Sequence, residues 1–261
     1  MSELDENAND AAFQRATALG DEGERLVLAG RYAEAVPVLN EAVRLHRSIT
    51  GPHPAVFGVA TTLNDLGFCL SRLKQYEAAV RVLQEARRLS EPMAKVASSV
   101  VELRELMAKI LSALGSSLAM LGEFEATVEA TKDLLEYRRS LLEPGALQVD
   151  FELGKDLRLF ALARARVGVE GEPAHAAISQ ALAIFQRLVE RDAAKHGREL
   201  LTTLDVFAEV LDSVGRADDA KAVRGHLVVE YEALAKAIEL AGRAHEAAAI
   251  RSYSAALAAK A

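Results

Sequence analysis

The sequence has one cysteine, no tryptophan and six prolines in 261 residues. A lone Cys69 cannot close an internal disulfide. Six prolines and sixteen glycines are too few for a collagen-like or linker-like chain. Long apolar runs are missing: Arg, Glu or Lys interrupts each before the ~20 residues needed to cross a bilayer. An excess of positive charge is missing too, since 31 basic residues face 38 acidic ones, for a net charge of −7. Phosphate neutralisation drives nucleic-acid affinity, so this balance argues against a nucleic-acid partner and against an anionic membrane. The acidic, polar start Met1-Ser2-Glu3-Leu4-Asp5-Glu6-Asn7 is unlike a signal peptide, and no Asn-X-Ser/Thr sequon occurs. The expected location is the cytoplasm.

Chemical motifs are also lacking. There is no Gly-rich phosphate loop, no His-Glu-X-X-His and no paired-cysteine metal spacing. The six histidines, at 46, 53, 175, 196, 226 and 245, share no ligand-like spacing. Cys69 sits beside Leu66 and Leu70 on a helical stripe and reads as a small buried hydrophobe. Nothing calls for a cofactor or a metal, and the expectation is that the chain is not an enzyme.

What is present is a repeat. Gly23, Gly30, Tyr32, Ala35, Leu39 and Ala42 form its cleanest copy. A second copy is Gly67, Lys74, Tyr76, Ala79, Leu83 and Ala86, with lysine in place of the second glycine. Gly115, Gly122 and Phe124 open a third. Fainter ones run from Ala161 through Gly168 and from Ala208 through Gly215. A last turn falls at Gly242. Apolar residues recur at three- and four-residue steps on both sides of each turn, as in Leu63, Leu66, Leu70 and Leu73, so each unit reads as two amphipathic helices. No sustained alternation of period two suggests a strand. Thr50-Gly51-Pro52-His53-Pro54 and Glu143-Pro144-Gly145 mark breaks between units. Pro92 suits an early helix position, which leaves the boundary at 90–99 open. Gly23 against Ala35 and Gly67 against Ala79 are expected to let paired helices approach closely. One hairpin cannot bury its own face, so neighbours must stack on it.

This small–turn–aromatic–small phrase resembles the tetratricopeptide repeat family over roughly residues 10–260. The longer period resembles the long-helix variants of kinesin light chains. A HEAT or armadillo array fits the period but leaves the Gly–aromatic–Ala phrase unexplained. The resemblance implies an all-α, right-handed α-solenoid of about five hairpins plus a C-terminal capping helix. The expected layout is a disordered acidic segment at 1–9 and one repeat domain at 10–261. Its units would be 10–50, 54–97, 98–143, 146–192 and 195–240, with a cap at 244–260 whose Ala247, Ile250, Tyr253 and Leu257 face inward.

By the same resemblance, the first helix of each pair lines a concave groove that binds a protein or peptide. Its candidate contacts are Asn64, Phe68, Arg72, Lys109, Ser112, Ser116, Lys155, Arg158 and Arg166. Gly20, Glu24 and Ala113 stand where the carboxylate-clamping members carry Lys, Asn and Arg, which argues against a co-chaperone of that kind. Lys155, Arg158 and Arg166 fall on one helix face. With Arg72 and Lys109 they predict a basic mid-groove suited to an acidic segment. The alternative is a structural or self-associating scaffold, or a sensor piece of a larger signalling protein, with a homo-oligomer as its form.

Overall fold

The computed structural model describes residues 3–49, 54–97, 99–141, 147–168, 171–240 and 242–259. Eleven helices and no strand occur among them. They group into two compact units, Met1–Leu142 and Glu143–Ala261. The first holds α1 (Glu3–Leu28), α2 (Tyr32–Ser48), α3 (Pro54–Arg72), α4 (Tyr76–Val96), α5 (Val101–Leu121) and α6 (Phe124–Ser140). The second holds α7 (Leu147–Val167), α8 (Gly171–Arg191), α9 (Ala193–Ser213), α10 (Ala217–Leu240) and α11 (Ala244–Ala258).

One expected boundary differs, and one left open is settled. Helix α1 begins at Glu3, so residues 3–9 are helical where the acidity suggested disorder. That stretch contains no Gly or Pro to interrupt a helix. Pro92 lies inside α4, near its end, and the helix continues to Val96.

The hairpin turns follow from local chemistry. Gly30, Gly122, Gly168, Gly215 and Gly242 all have φ between 72° and 79°. At Gly30 the N–H donates to the Val27 carbonyl at 2.9 Å and Arg31 N–H donates to Leu26 at 2.9 Å. These two bonds satisfy carbonyls that a helix end would otherwise leave open. At Lys74 the same pair forms at φ 62°: Lys74 N–H donates to the Ser71 carbonyl and Gln75 N–H to the Leu70 carbonyl. A side chain pays a steric cost in that region that glycine escapes. Lys74→Gly is therefore expected to stabilise unit 1 by about 0.5–1 kcal/mol, read as a raised urea midpoint at unchanged slope. An unchanged or lowered midpoint would mean that the turn does not strain Lys74.

Close packing within hairpins rests on glycine, with a different partner from the expected one. A Cβ on Gly23 would lie 2.3 Å from Leu39 Cδ2, and one on Gly67 would lie 2.4 Å from Leu83 Cγ. The space is thus filled by Leu39 and Leu83, both fully buried, while Ala35 and Ala79 complete the wall. Leu66, Cys69, Leu70, Leu114 and Leu118 join them in a core that runs from α1 to α6.

Within unit 1 the odd-numbered helices touch directly, α1 on α3 and α3 on α5. The even-numbered ones are bridged by long side chains, Arg47 to Glu85 at 2.5 Å and Arg87 to Asp133 at 2.6 Å. The odd helices therefore form the tighter, inner layer. In unit 2, α7 likewise touches α9. The last helix departs from expectation at one position. Ala247 and Leu257 of α11 are buried, but the buried residue between them is Ser254. Tyr253 is 43% exposed; its hydroxyl donates to Asp205 and its ring meets Tyr231 edge-on.

Candidate functional site

The nine candidate contacts fall in two units that behave differently. In unit 2, the cations of α7 are already matched. Arg158 Nη2 lies 2.7 Å from Glu199 Oε2, and Arg158 Nη1 donates to the Glu199 carbonyl and to Thr203 Oγ1, both at 3.1 Å. The guanidinium also sits over the Phe185 ring. Its side chain is only 16% exposed. Arg166 pairs with Glu209 of α9, and Lys155 pairs with Glu152 at 3.2 Å. The expected basic face of α7 is therefore matched within its own unit: Arg158 and Arg166 hold α7 to α9, and Lys155 pairs within α7. Local spacing does not pair the α9 acids with these cations, because they lie 41 and 43 residues from Arg158 and Arg166. Opposite charges just under one repeat apart are the signal that would have found them.

In unit 1, the inner layer is open. Among the described residues no ion pair joins α1, α3 and α5. Phe57, Thr61, Asn64, Phe68 and Arg72 follow helical steps on α3, as do Lys109, Ser112, Ser116 and Met120 on α5. Phe57 is 38% exposed, Phe68 39% and Met120 62%. Phe68 meets Tyr32 edge-on with ring centroids 5.9 Å apart, and Arg72 stands over the same Tyr32 ring at 5.5 Å. Phe68 thus packs between neighbouring hairpins and still shows a ring to solvent. Ser116 is exposed on α5, and Lys109 is exposed beside it along the helix.

At the centre lies a residue that the sequence did not single out. Asp65 is partly buried on α3 and accepts a bond from Asn64 Nδ2 at 3.1 Å. Burial pushes its carboxyl up to about 6. The Asn64 bond opposes this rise, Glu24 of α1 adds to it, and Lys109 of α5 offsets part of it. Asp65 has no salt bridge to a described residue. Cys69, one turn on, is fully buried, and burial together with Asp65 raises its thiol to about 11. That removes it as a nucleophile at neutral pH.

Elsewhere the described residues show no group of three or more His, Cys, Asp or Glu side chains placed to hold a metal ion. His46 is buried against Phe13 and above Gly58, and burial lowers its pKa. His196 is buried beside Phe151. Both serve as packing residues. No described helix is long and apolar enough to cross a membrane.

Comparison with known proteins agrees with this architecture. Residues 14–91 match the tetratricopeptide repeat family. No curated protein sequence matches the chain. A kinesin light chain structure with nearly identical TPR-like repeats from Podospora anserina shares the fold at TM-score 0.54 and 16% identity, covering 82% of this chain and 93% of that one. The yeast histone chaperone Hif1, described as a scaffold protein recruiting protein complexes to core histones, superposes at TM-score 0.57 and 14% identity over 78% of this chain and 97% of its own. Aspartyl phosphate phosphatase F from Bacillus subtilis does so at 0.54 and 14% identity, over 94% of this chain but 60% of its own. At such identities the likeness is one of fold. The kinesin-light-chain resemblance read from the long repeat period is found among its neighbours.

Proposed function

We propose that the chain is a non-catalytic protein-interaction module that holds an extended protein segment along the inner, odd-helix face of unit 1. The observation that carries this reading is the contrast between the two units. In unit 2 the odd helices are tied together by their own ion pairs. In unit 1 the ties lie on the even helices, and the odd ones expose Phe57, Phe68 and Met120 around a polar centre. Exposed aromatic and methionine side chains among polar groups are what a recognition surface needs: apolar area that gains from burial and polar atoms that fix register. The acidic segment expected from the sequence loses support, because the α7 cations meant to hold it are occupied.

The test is selection of twelve-residue peptides on the full chain from a random displayed library, followed by fluorescence anisotropy. Phe57→Ser/Phe68→Ser should weaken the selected peptides at least about tenfold, since each buried ring contributes on the order of 1–3 kcal/mol. Gln84→Ala/Arg88→Ala, on the exposed side of α4, should leave affinity within about twofold. The reverse pattern, or a library that returns no binder, would contradict this reading.

A further inference from the structure

Resting on that face as the binding surface, we infer that the segment it takes carries a lysine or arginine, whose charge sits on the Asp65 carboxylate between Glu24 and the Phe68 ring. Three observations carry it. First, Asp65 is held in the middle of the inner layer by α3 while α1 and α5 flank it, and its only described polar partner is the Asn64 amide. Second, of the described charged groups that act on it, the acid Glu24 acts more strongly than the cation Lys109. A partly buried carboxylate with a second acid beside it favours a cation that the protein does not supply. Third, Phe68 stands one turn along the same face with its ring exposed. An aromatic ring beside a carboxylate accepts the apolar stem of lysine or the plane of arginine, adding a cation–π contact to the ion pair.

Arg72 does not fill this role. It lies over Tyr32, a further turn along α3. Unit 2 provides the comparison: Arg158 of α7 is bonded to the α9 backbone and carboxylate while lying over Phe185. Unit 1 offers the same three elements of a cation site, a carboxylate, a polar neighbour and a ring, without the cation. The ligand chemistry is thus opposite to that expected from the sequence: a basic side chain rather than an acidic one.

The peptides selected on the full chain supply the probe. Aligned, they should share a lysine or arginine at one position. Asp65→Asn keeps the shape of the side chain and should weaken these peptides at least about tenfold, the scale of a charge-assisted contact. Replacing the shared cation by norleucine should cost the same, and should cost nothing further on Asp65→Asn. Lowering the pH from 7.5 to 5 should weaken binding to the wild type, as Asp65 takes up a proton in the company of Glu24, Lys109 and Cys69. The Asp65→Asn profile should be flat. Peptides that lose affinity on Phe57→Ser/Phe68→Ser but share no cation, or ignore Asp65→Asn, would overturn this inference and leave the face standing. Peptides indifferent to both variants would overturn both.

Discussion

Arg158→Glu is expected to destabilise unit 2 by about 3 kcal/mol or more. The arginine is largely buried, pairs with Glu199 at 2.7 Å, bonds the α9 backbone and lies over Phe185. Glutamate would remove every one of these contacts and set two carboxylates face to face. The urea transition of unit 2 should move to lower concentration, and amide exchange in α7 to α9 should accelerate while α1 to α6 keep their protection. Exchanging the pair, as Arg158→Glu/Glu199→Arg, should recover part of the loss, because the ion pair returns although the backbone and ring contacts do not. A single variant within about 0.5 kcal/mol of wild type would refute the structural role and return Arg158 to the candidate ligand contacts.

Gly67→Ala is expected to destabilise unit 1 by about 1–3 kcal/mol, although alanine is the better helix former. Helix propensity alone would predict a gain of about 1 kcal/mol. The sign of the change therefore separates the two effects. The added methyl would meet Leu83 Cγ at 2.4 Å in a core where Leu83 has no solvent exposure. Leu83→Ala should cost about 2–5 kcal/mol by leaving a cavity. The double variant should cost less than the two together, because the methyl at 67 enters space vacated at 83. Additive losses, or a stabilised Gly67→Ala, would show that the two residues do not compete for one space.

These contacts also show which parts of the molecule were legible in the sequence. The turns were, because each needs a left-handed residue at a fixed place in the repeat. Gly30, Gly122, Gly168, Gly215 and Gly242 take that conformation, and Lys74 takes it at a steric cost. The helices were legible because each buries one stripe of apolar side chains. The partner of each interhelical glycine was missed by one helical turn. Spacing identifies the small residue, but the reach of the facing leucine decides what fills the gap.

The candidate site was legible only as a face. Phe68 and Lys109 do lie on the inner layer of unit 1, but the charges that matter depend on contacts one repeat away. Arg158 and Arg166 read as a basic stripe on α7 until α9 brings Glu199 and Glu209 against them. Asp65 reads as one more solvated acid until partial burial on α3, with Glu24 of α1 acting on it, raises its carboxyl. Local patterning tells which side of a helix faces inward. It does not tell which neighbour's charge arrives there.

The most direct test of the central claim is photo-cross-linking from single positions of the folded full chain to a bound, selected peptide. A cross-linking side chain at Ser116, on the inner face of unit 1, should capture the peptide in good yield. The same side chain at Gln84, on the exposed side of α4, should capture almost none. Capture from Gln84 with none from Ser116 would place binding on the even helices and contradict the account.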